Sequence, residues 1–321
     1  MIVRRTSRIY VAGGDTMIGA ALRERLHNSG FERIVGEAPD EPDLTDDRQV
    51  EDFFAEARPE LVFLAAGKIG GIEANRKRPA ELMHHNLLVT THVLHAAHRY
   101  GVEKLLNLAS SCSYPKEAPQ PFQPSSIMTG ALEETSAAYA TAKLAGIQLC
   151  RAYRMQFGHE FFSAIPANPF GPHDDFNQDT GHVIGALMSR IHEAKMDDEQ
   201  EVILWGTGKP RREFIYAPVL ADACIHVMTH YDGSEPINLG SGTERSIAEL
   251  ADEIAEVVGY RGRIGFDSSR PDGIARKVLD SSKLFDLGWW PQFRFRIALE
   301  ETYYWFLTNI VKEESDVSAT V

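Results

Sequence analysis

Six short apolar runs, RIYVAG, ERIVG, LVFLAAG, KLLNLAS, FFSAIPAN and EPINLG, alternate with helical segments and predict an α/β fold built on a doubly wound parallel sheet. Two further observations support that reading. A glycine turn follows the first run directly, and beyond about residue 170 the chain becomes rich in polar loops. The first run, Arg8 to Ala12, passes through Gly13, Gly14, Asp15, Thr16, Met17, Ile18 and Gly19 into the helical AALRERLHNSG. Such a strand-to-helix turn sets a pyrophosphate against a helix N-terminus, where free N–H groups and the dipole favour negative charge. The pattern is Rossmann-type and predicts that these seven residues bind a dinucleotide.

Residues 1–170 are therefore expected to form the dinucleotide-binding domain. It should be re-entered at about 213–240, where FIYAPVLADACIHVMTHY reads as helix and EPINLG as strand. Residues 171–212 and 241–321 are expected to form a smaller substrate-binding domain. Its segments are the loop-to-helix stretch HDDFNQDTGHVIGALMSRIHEAK, the turn-rich WGTGKPRREF and the charged loop SRPDGIARKVLD. The polar tail KEESDVSATV is expected to fray.

Composition narrows the function. A net charge of -13 argues against a nucleic-acid or membrane surface, because binding phosphate needs excess Lys and Arg. No apolar run is long enough to span a bilayer, and the apolar stretch before Gly13 is too short for a signal peptide. The three cysteines, Cys112, Cys150 and Cys224, show no CxxC spacing, so neither a disulfide framework nor a metal site is expected. A reducing cytoplasm fits. His92, His95 and His98 lie at helical spacing and read as one partly exposed helix face.

Chemistry enters with Tyr139 and Lys143, four residues apart in AAYATAKLAGIQLC. Residues at i and i+4 share a helix face, so the ammonium is expected beside the phenol, lowering its pKa. A phenol tuned this way can exchange a proton with a sugar oxygen. Upstream, the strand-like LLNLAS ends in Ser110, Ser111 and Cys112. The same YxxxK spacing recurs at Tyr100 and Lys104, but Gly101 interrupts it and KLLNLAS follows, so that pair should not share a face.

The strings SSCSYPK, YATAK, PANPFGPHDDF, GHVIGAL, WGTGKPRREF and RPDGIARKVLD together resemble the extended short-chain dehydrogenase/reductase family, in its GDP-sugar epimerase–reductase branch. The likeness runs nearly end to end. It implies 3,5-epimerisation and NAD(P)H-dependent 4-reduction of GDP-4-keto-6-deoxy-D-mannose to GDP-L-fucose by a cytoplasmic homodimer. Ser110, Tyr139 and Lys143 then match the reductase triad, with Ser111 the fallback if the register slips by one. Cys112 and His182 match the pair moving protons at C3 and C5, while Arg190, Trp205, Arg212 and Asp272 match positions holding the GDP-sugar. Ala109, Ser110, Lys143, Pro166, Asn168 and His182 fall on the cofactor pocket. Two alternatives stay open: the same chemistry on a related nucleotide 4-keto sugar, such as a heptose or dideoxyhexose, and a non-catalytic dinucleotide sensor.

The resemblance implies NADP(H), yet local residues depart from it. Asp15 stands where bacterial members carry Arg, Thr16 where Gly is common, and Glu37 and Asp40 follow the second strand with no Arg before Arg48. A carboxylate there suits a free ribose 2'-hydroxyl better than a phosphate, which keeps NAD(H) open.

Overall fold

The computed structural model describes residues 4–178, 180–270 and 272–312. Its elements run β1 (Ile9–Ala12), α1 (Met17–Asn28), β2 (Ile34–Val35), α2 (Asp47–Ala57), β3 (Leu61–Leu64), α3 (Ile72–Lys77), α4 (Pro79–Arg99), β4 (Lys104–Leu108), α5 (Ala137–Phe157) and β5 (Glu160–Pro166). The second half contributes β6 (Asn168–Phe170), α6 (Val183–Met196), β7 (Glu201–Trp205), β8 (Arg211–Tyr216), α7 (Ala217–His230), β9 (Ile237–Leu239), β10 (Glu244–Ser246) and α8 (Ile247–Val258). It closes with β11 (Arg263–Asp267), β12 (Arg276–Lys277), α9 (Ser282–Asp286) and α10 (Phe295–Phe306).

The six apolar runs become the six strands of one parallel sheet, in the order β2-β1-β3-β4-β5-β9. Alternation along each strand feeds both faces. Ile9, Val11, Leu61, Phe63 and Leu106 meet Leu22 and Leu26 of α1 and Leu220 and Val227 of α7. Tyr10, Val62, Leu64 and Leu105 meet Phe54 of α2, Val93 and Leu94 of α4 and Cys150 of α5. EPINLG returns to this sheet, because β9 pairs in parallel with β5.

A second core lies between α6, α8 and α10, where Met188, Ile191, Leu250, Ile254 and Leu299 pack with Phe214 of β8. Here the structure departs from the sequence reading. The stretch read as turn-rich holds the end of β7 and the start of β8, and the loop around Arg270 contains β12. Phe214–Tyr216, read as the start of a helix, finish β8, and α7 begins only at Ala217. The tail beyond Lys312 lies outside the described residues.

The repeated YxxxK motif behaves as its glycine implies. Tyr100 caps α4, Gly101 follows at φ +74°, and Lys104 opens β4. The Tyr100 hydroxyl donates to Glu51, whereas the buried Lys104 ammonium donates to the carbonyl of Tyr231.

Candidate active site

The glycine turn is shaped for close backbone approach. Gly13 sits at φ +83°, and a Cβ there would lie 2.5 Å from the Cα of Ala66. A Cβ on Gly19 would lie 1.9 Å from the carbonyl oxygen of Gly13, so α1 can start against the turn only with glycine there. Thr16, the departure from the family's glycine, has a local reason. It is the N-cap of α1 in extended conformation, accepting from the amide of Gly19 at 3.1 Å and donating to the carbonyl of Gly13 at 2.8 Å. Helix geometry leaves the first-turn amides of Met17 and Ile18 facing outward, so the turn fits a pyrophosphate.

Two of the acidic residues beside this turn, Asp15 and Glu37, have partners. Arg23, one helical turn after Gly19, lays its guanidinium across Gly14, where a Cβ would come within 1.6 Å of Cζ. It pairs with Asp15 at 3.2 Å and Glu41 at 3.0 Å, and donates to the carbonyl of Gly36 at 2.8 Å. Asp15 is 79% exposed, whereas Glu41 is largely covered and also accepts from the amide of Gly13. Glu37 points to His27, 3.0 Å away. Arg23 and Glu41 escaped the sequence reading; the i+4 phase from Gly19 was the available signal for Arg23.

Beyond the turn, Ala109 follows β4 and donates its amide to Ala164, Pro166 ends β5, and Asn168 opens β6 with its side-chain amide on the carbonyl of Glu213. Tyr139 and Lys143 are both buried on α5. The lysine ammonium donates to the carbonyl of Leu108 at 3.1 Å. The expected lowering of the Tyr139 pKa by Lys143 is absent. Burial, reinforced by the charge of Cys112, pushes the phenol well above its ordinary value, with only the Ser110 hydroxyl pulling it back. Burial likewise pushes Lys143 down to about 8. Desolvation disfavours whichever form is charged, so tyrosine rises and lysine falls.

Ser110 caps the short turn Ser111–Ser113 and accepts from the amide of Cys112 at 3.2 Å. At Cys112 the balance is reversed. Burial pushes the thiol up, but the ammonium of Lys277, 3.3 Å from Sγ, together with Ser110 and Ser136, outweighs it and holds the thiol below its ordinary range. His182, the N-cap of α6, has Nδ1 3.7 Å from the buried Asp174 carboxylate. Burial pulls the imidazole down, but Asp174 and the charge of Cys112 outweigh it and raise its pKa. Lys277 and Asp174 were not singled out from sequence, although both stand inside family-like strings.

Of the sugar-side residues, Arg212 on β8 joins this cluster. It acts on Cys112 through its charge and pairs in register with Lys277 of β12. Asp272 accepts from both the amide and the hydroxyl of Thr207, at 2.8 and 2.6 Å, so it also clasps the loop after β7. Arg190 donates to the carbonyl of Ile203 at 2.7 Å, which tethers it two residues before Trp205. Trp205 is 66% exposed, with the Arg270 guanidinium 5.1 Å from its ring centre. Arg190 and Trp205 are thus linked through β7 rather than through the Cys112 cluster.

Residues 9–240 match the family described as "NAD dependent epimerase/dehydratase family". The chain belongs to this family. Among curated members, it is 47% identical over 306 residues to "GDP-L-fucose synthase 1" of Arabidopsis thaliana, covering 95% of each chain. It is 44% identical over 311 residues to "GDP-L-fucose synthase" of Escherichia coli (strain K12), covering 94% of this chain and 97% of that one. Among solved structures, a GDP-6-OMe-4-keto-L-xylo-heptose reductase from C. jejuni matches with a TM-score of 0.90 at 30% identity, over 96% of this chain and 99% of that one. A GDP-L-fucose synthetase from Naegleria fowleri bound to NADP matches with a TM-score of 0.87 at 28% identity, over 96% of each chain. Among the described residues of this member, no helix is long and apolar enough to cross a membrane.

Proposed function

We infer that the protein is a bifunctional 3,5-epimerase and 4-reductase converting GDP-4-keto-6-deoxy-D-mannose to GDP-L-fucose. One arrangement carries the reading: the Ser110 hydroxyl accepts from the amide of Cys112, and Cys112 lies near enough to both Tyr139 and His182 for its charge to act on them, so the groups for enolisation and for reduction are neighbours. The curated relatives, at 44% identity and above over nearly the whole chain, support the substrate.

The C4 ketone acidifies the protons at C3 and C5. Cys112, biased towards thiolate, removes a proton from one ring face, and His182, biased towards imidazolium, returns one to the other. When bound, the reduced nicotinamide supplies the hydride to C4. Ser110 hydrogen-bonds the carbonyl oxygen, and Tyr139 gives that oxygen its proton. The raised phenol suits this step, because it keeps the proton until an alkoxide develops. Lys143, already fixed on Leu108, positions the nicotinamide ribose. Arg190, Trp205, Arg212 and Asp272 hold the GDP-sugar, the guanidinium groups serving the diphosphate. In this reading residues 171–212 and 241–312 grip the sugar nucleotide, while the six-stranded sheet holds the dinucleotide.

For the cofactor we propose NADP(H), with NADH also used measurably. The NADP-bound structural neighbour supports the first part. Arg23 supports it too, because a 2'-phosphate can replace the exposed Asp15 on its guanidinium. Glu41, which stays on the amide of Gly13, suits a free 2'-hydroxyl and weakens the preference. A homodimer through α4 and α5, and a cytoplasmic location in keeping with three free cysteines, complete the proposal.

The test is incubation with GDP-4-keto-6-deoxy-D-mannose and each reduced cofactor, with the product identified by NMR. GDP-L-fucose is expected. A 4-reduced sugar with C3 and C5 not inverted, or no turnover, would contradict the assignment.

A further inference from the structure

We propose that Lys277 holds Cys112 as its thiolate, which makes it a positioning residue for the epimerisation half of the reaction. The proposal rests on reading Cys112 as a proton-transfer group. The Lys277 ammonium lies 3.3 Å from Sγ, within contact range for a sulfur partner. Among the described residues no carboxylate pairs with Lys277, and the Cys112 sulfur is the side-chain partner its ammonium has.

The backbone that delivers this ammonium is tightly held. Lys277 pairs with Arg212 across β12 and β8, and the next amide, Val278, donates to Gln120 at 3.0 Å. The following amide, Leu279, donates to the buried Glu213 carboxylate at 2.8 Å. Glu213 also accepts from Gly242, so one buried carboxylate ties β8 to the segment carrying Lys277. The cation is built in opposite the sulfur rather than swept there by a flexible loop.

The other groups facing the thiol are Ser110 and Ser136, the phenol of Tyr139, the imidazole of His182 and the guanidinium of Arg212. Arg212 shares its charge with Asp272 and, in the proposed function, with the substrate diphosphate, which leaves Lys277 as the cation dedicated to sulfur. In the resting site Lys277 biases Cys112 towards thiolate and Asp174 biases His182 towards imidazolium. Sulfur takes the proton from the sugar carbon to become a thiol, the electron pair passes into the enolate, and His182 gives its proton to the opposite face. Exchange with solvent then resets the pair.

The test is the pH dependence of Cys112 alkylation by iodoacetamide without sugar, read by peptide mass spectrometry in wild type, Lys277→Met and Lys277→Arg. The buried Cys150 and Cys224 serve as internal references. Lys277→Met is expected to raise the Cys112 midpoint by about one pH unit, slowing alkylation near neutral pH about tenfold. Lys277→Arg should retain most of the wild-type midpoint, and both variants should bind NADPH normally. Solvent deuterium uptake into the sugar should fall in Lys277→Met by a similar factor. An unchanged midpoint in Lys277→Met, or in Lys277→Gln should the Met variant unfold, overturns the proposal. A shifted midpoint with unchanged deuterium uptake would instead remove Cys112 from epimerisation while leaving the pairing intact.

Discussion

At the Tyr139 end of the pocket burial acts almost alone, whereas at the Cys112 end charge outweighs it. Tyr139 is driven towards its protonated form and Lys143 towards its neutral one, since among the described residues neither has a counter-charge. Cys112 and His182 are half-buried, and Lys277 and Asp174 push them towards thiolate and imidazolium. The difference fits two kinds of proton transfer. A donor for reduction must keep its proton until hydride arrives, whereas a base and acid for enolisation must be charged before substrate binds.

The largest expected effect breaks the first end. Tyr139→Phe should cut reduction by on the order of 10² to 10⁴-fold in stopped-flow NADPH oxidation, with GDP-sugar affinity retained. Tyr100→Phe is the matched control, since that hydroxyl bonds Glu51 of α2, and it should leave the rate unchanged.

Next, Cys112→Ala or His182→Ala should lower deuterium uptake at C3 and C5 by about 10²-fold or more while the nicotinamide still binds. Reduction of the un-inverted ketone would then give a GDP-6-deoxy sugar of altered configuration, visible by NMR. Uptake at the wild-type rate in both variants would place the proton carriers elsewhere.

Cofactor choice should respond more modestly. Arg23→Gln should lower kcat/KM for NADPH by about one to two decades, the loss of one charge-assisted contact, with a much smaller change for NADH. Asp15→Arg should move the ratio towards NADPH. A wild-type NADPH preference above about a thousandfold that responds to neither change would assign the phosphate to another cation.

The smallest effect sharpens the contrast through pH. The thiolate is lost as pH falls through the lowered Cys112 pKa, and the imidazolium is lost as pH rises through the raised His182 pKa, so deuterium uptake should be bell-shaped. Asp174→Asn removes the group that raises His182, so the alkaline limb should move to lower pH, costing about tenfold on that side. An unmoved alkaline limb would show that His182 is not the acid.

The sheet was legible in the sequence because its central strands are buried on both faces and therefore mostly apolar; every residue of β1, β3 and β4 is buried. The second layer was not, because β10 and β12 are only two or three residues long and half-buried, leaving no periodicity to read. In the same way, Ser110, Cys112, Tyr139 and Lys143 were found at a strand end and on one helix face, where spacing is set locally. Arg23, Asp174 and Lys277 act through partners that only tertiary packing supplies; Asp15 was misjudged because its partner Arg23 was not seen, and Tyr139 because its burial outweighs any effect of Lys143.

The most direct test of two independently tuned ends is Tyr139→Phe with GDP-4-keto-6-deoxy-D-mannose and NADPH in D₂O, followed by NMR. Deuterium should enter C3 and C5 at close to the wild-type rate while GDP-L-fucose fails to form. Loss of exchange together with reduction would contradict the account, since Tyr139 would then serve both steps.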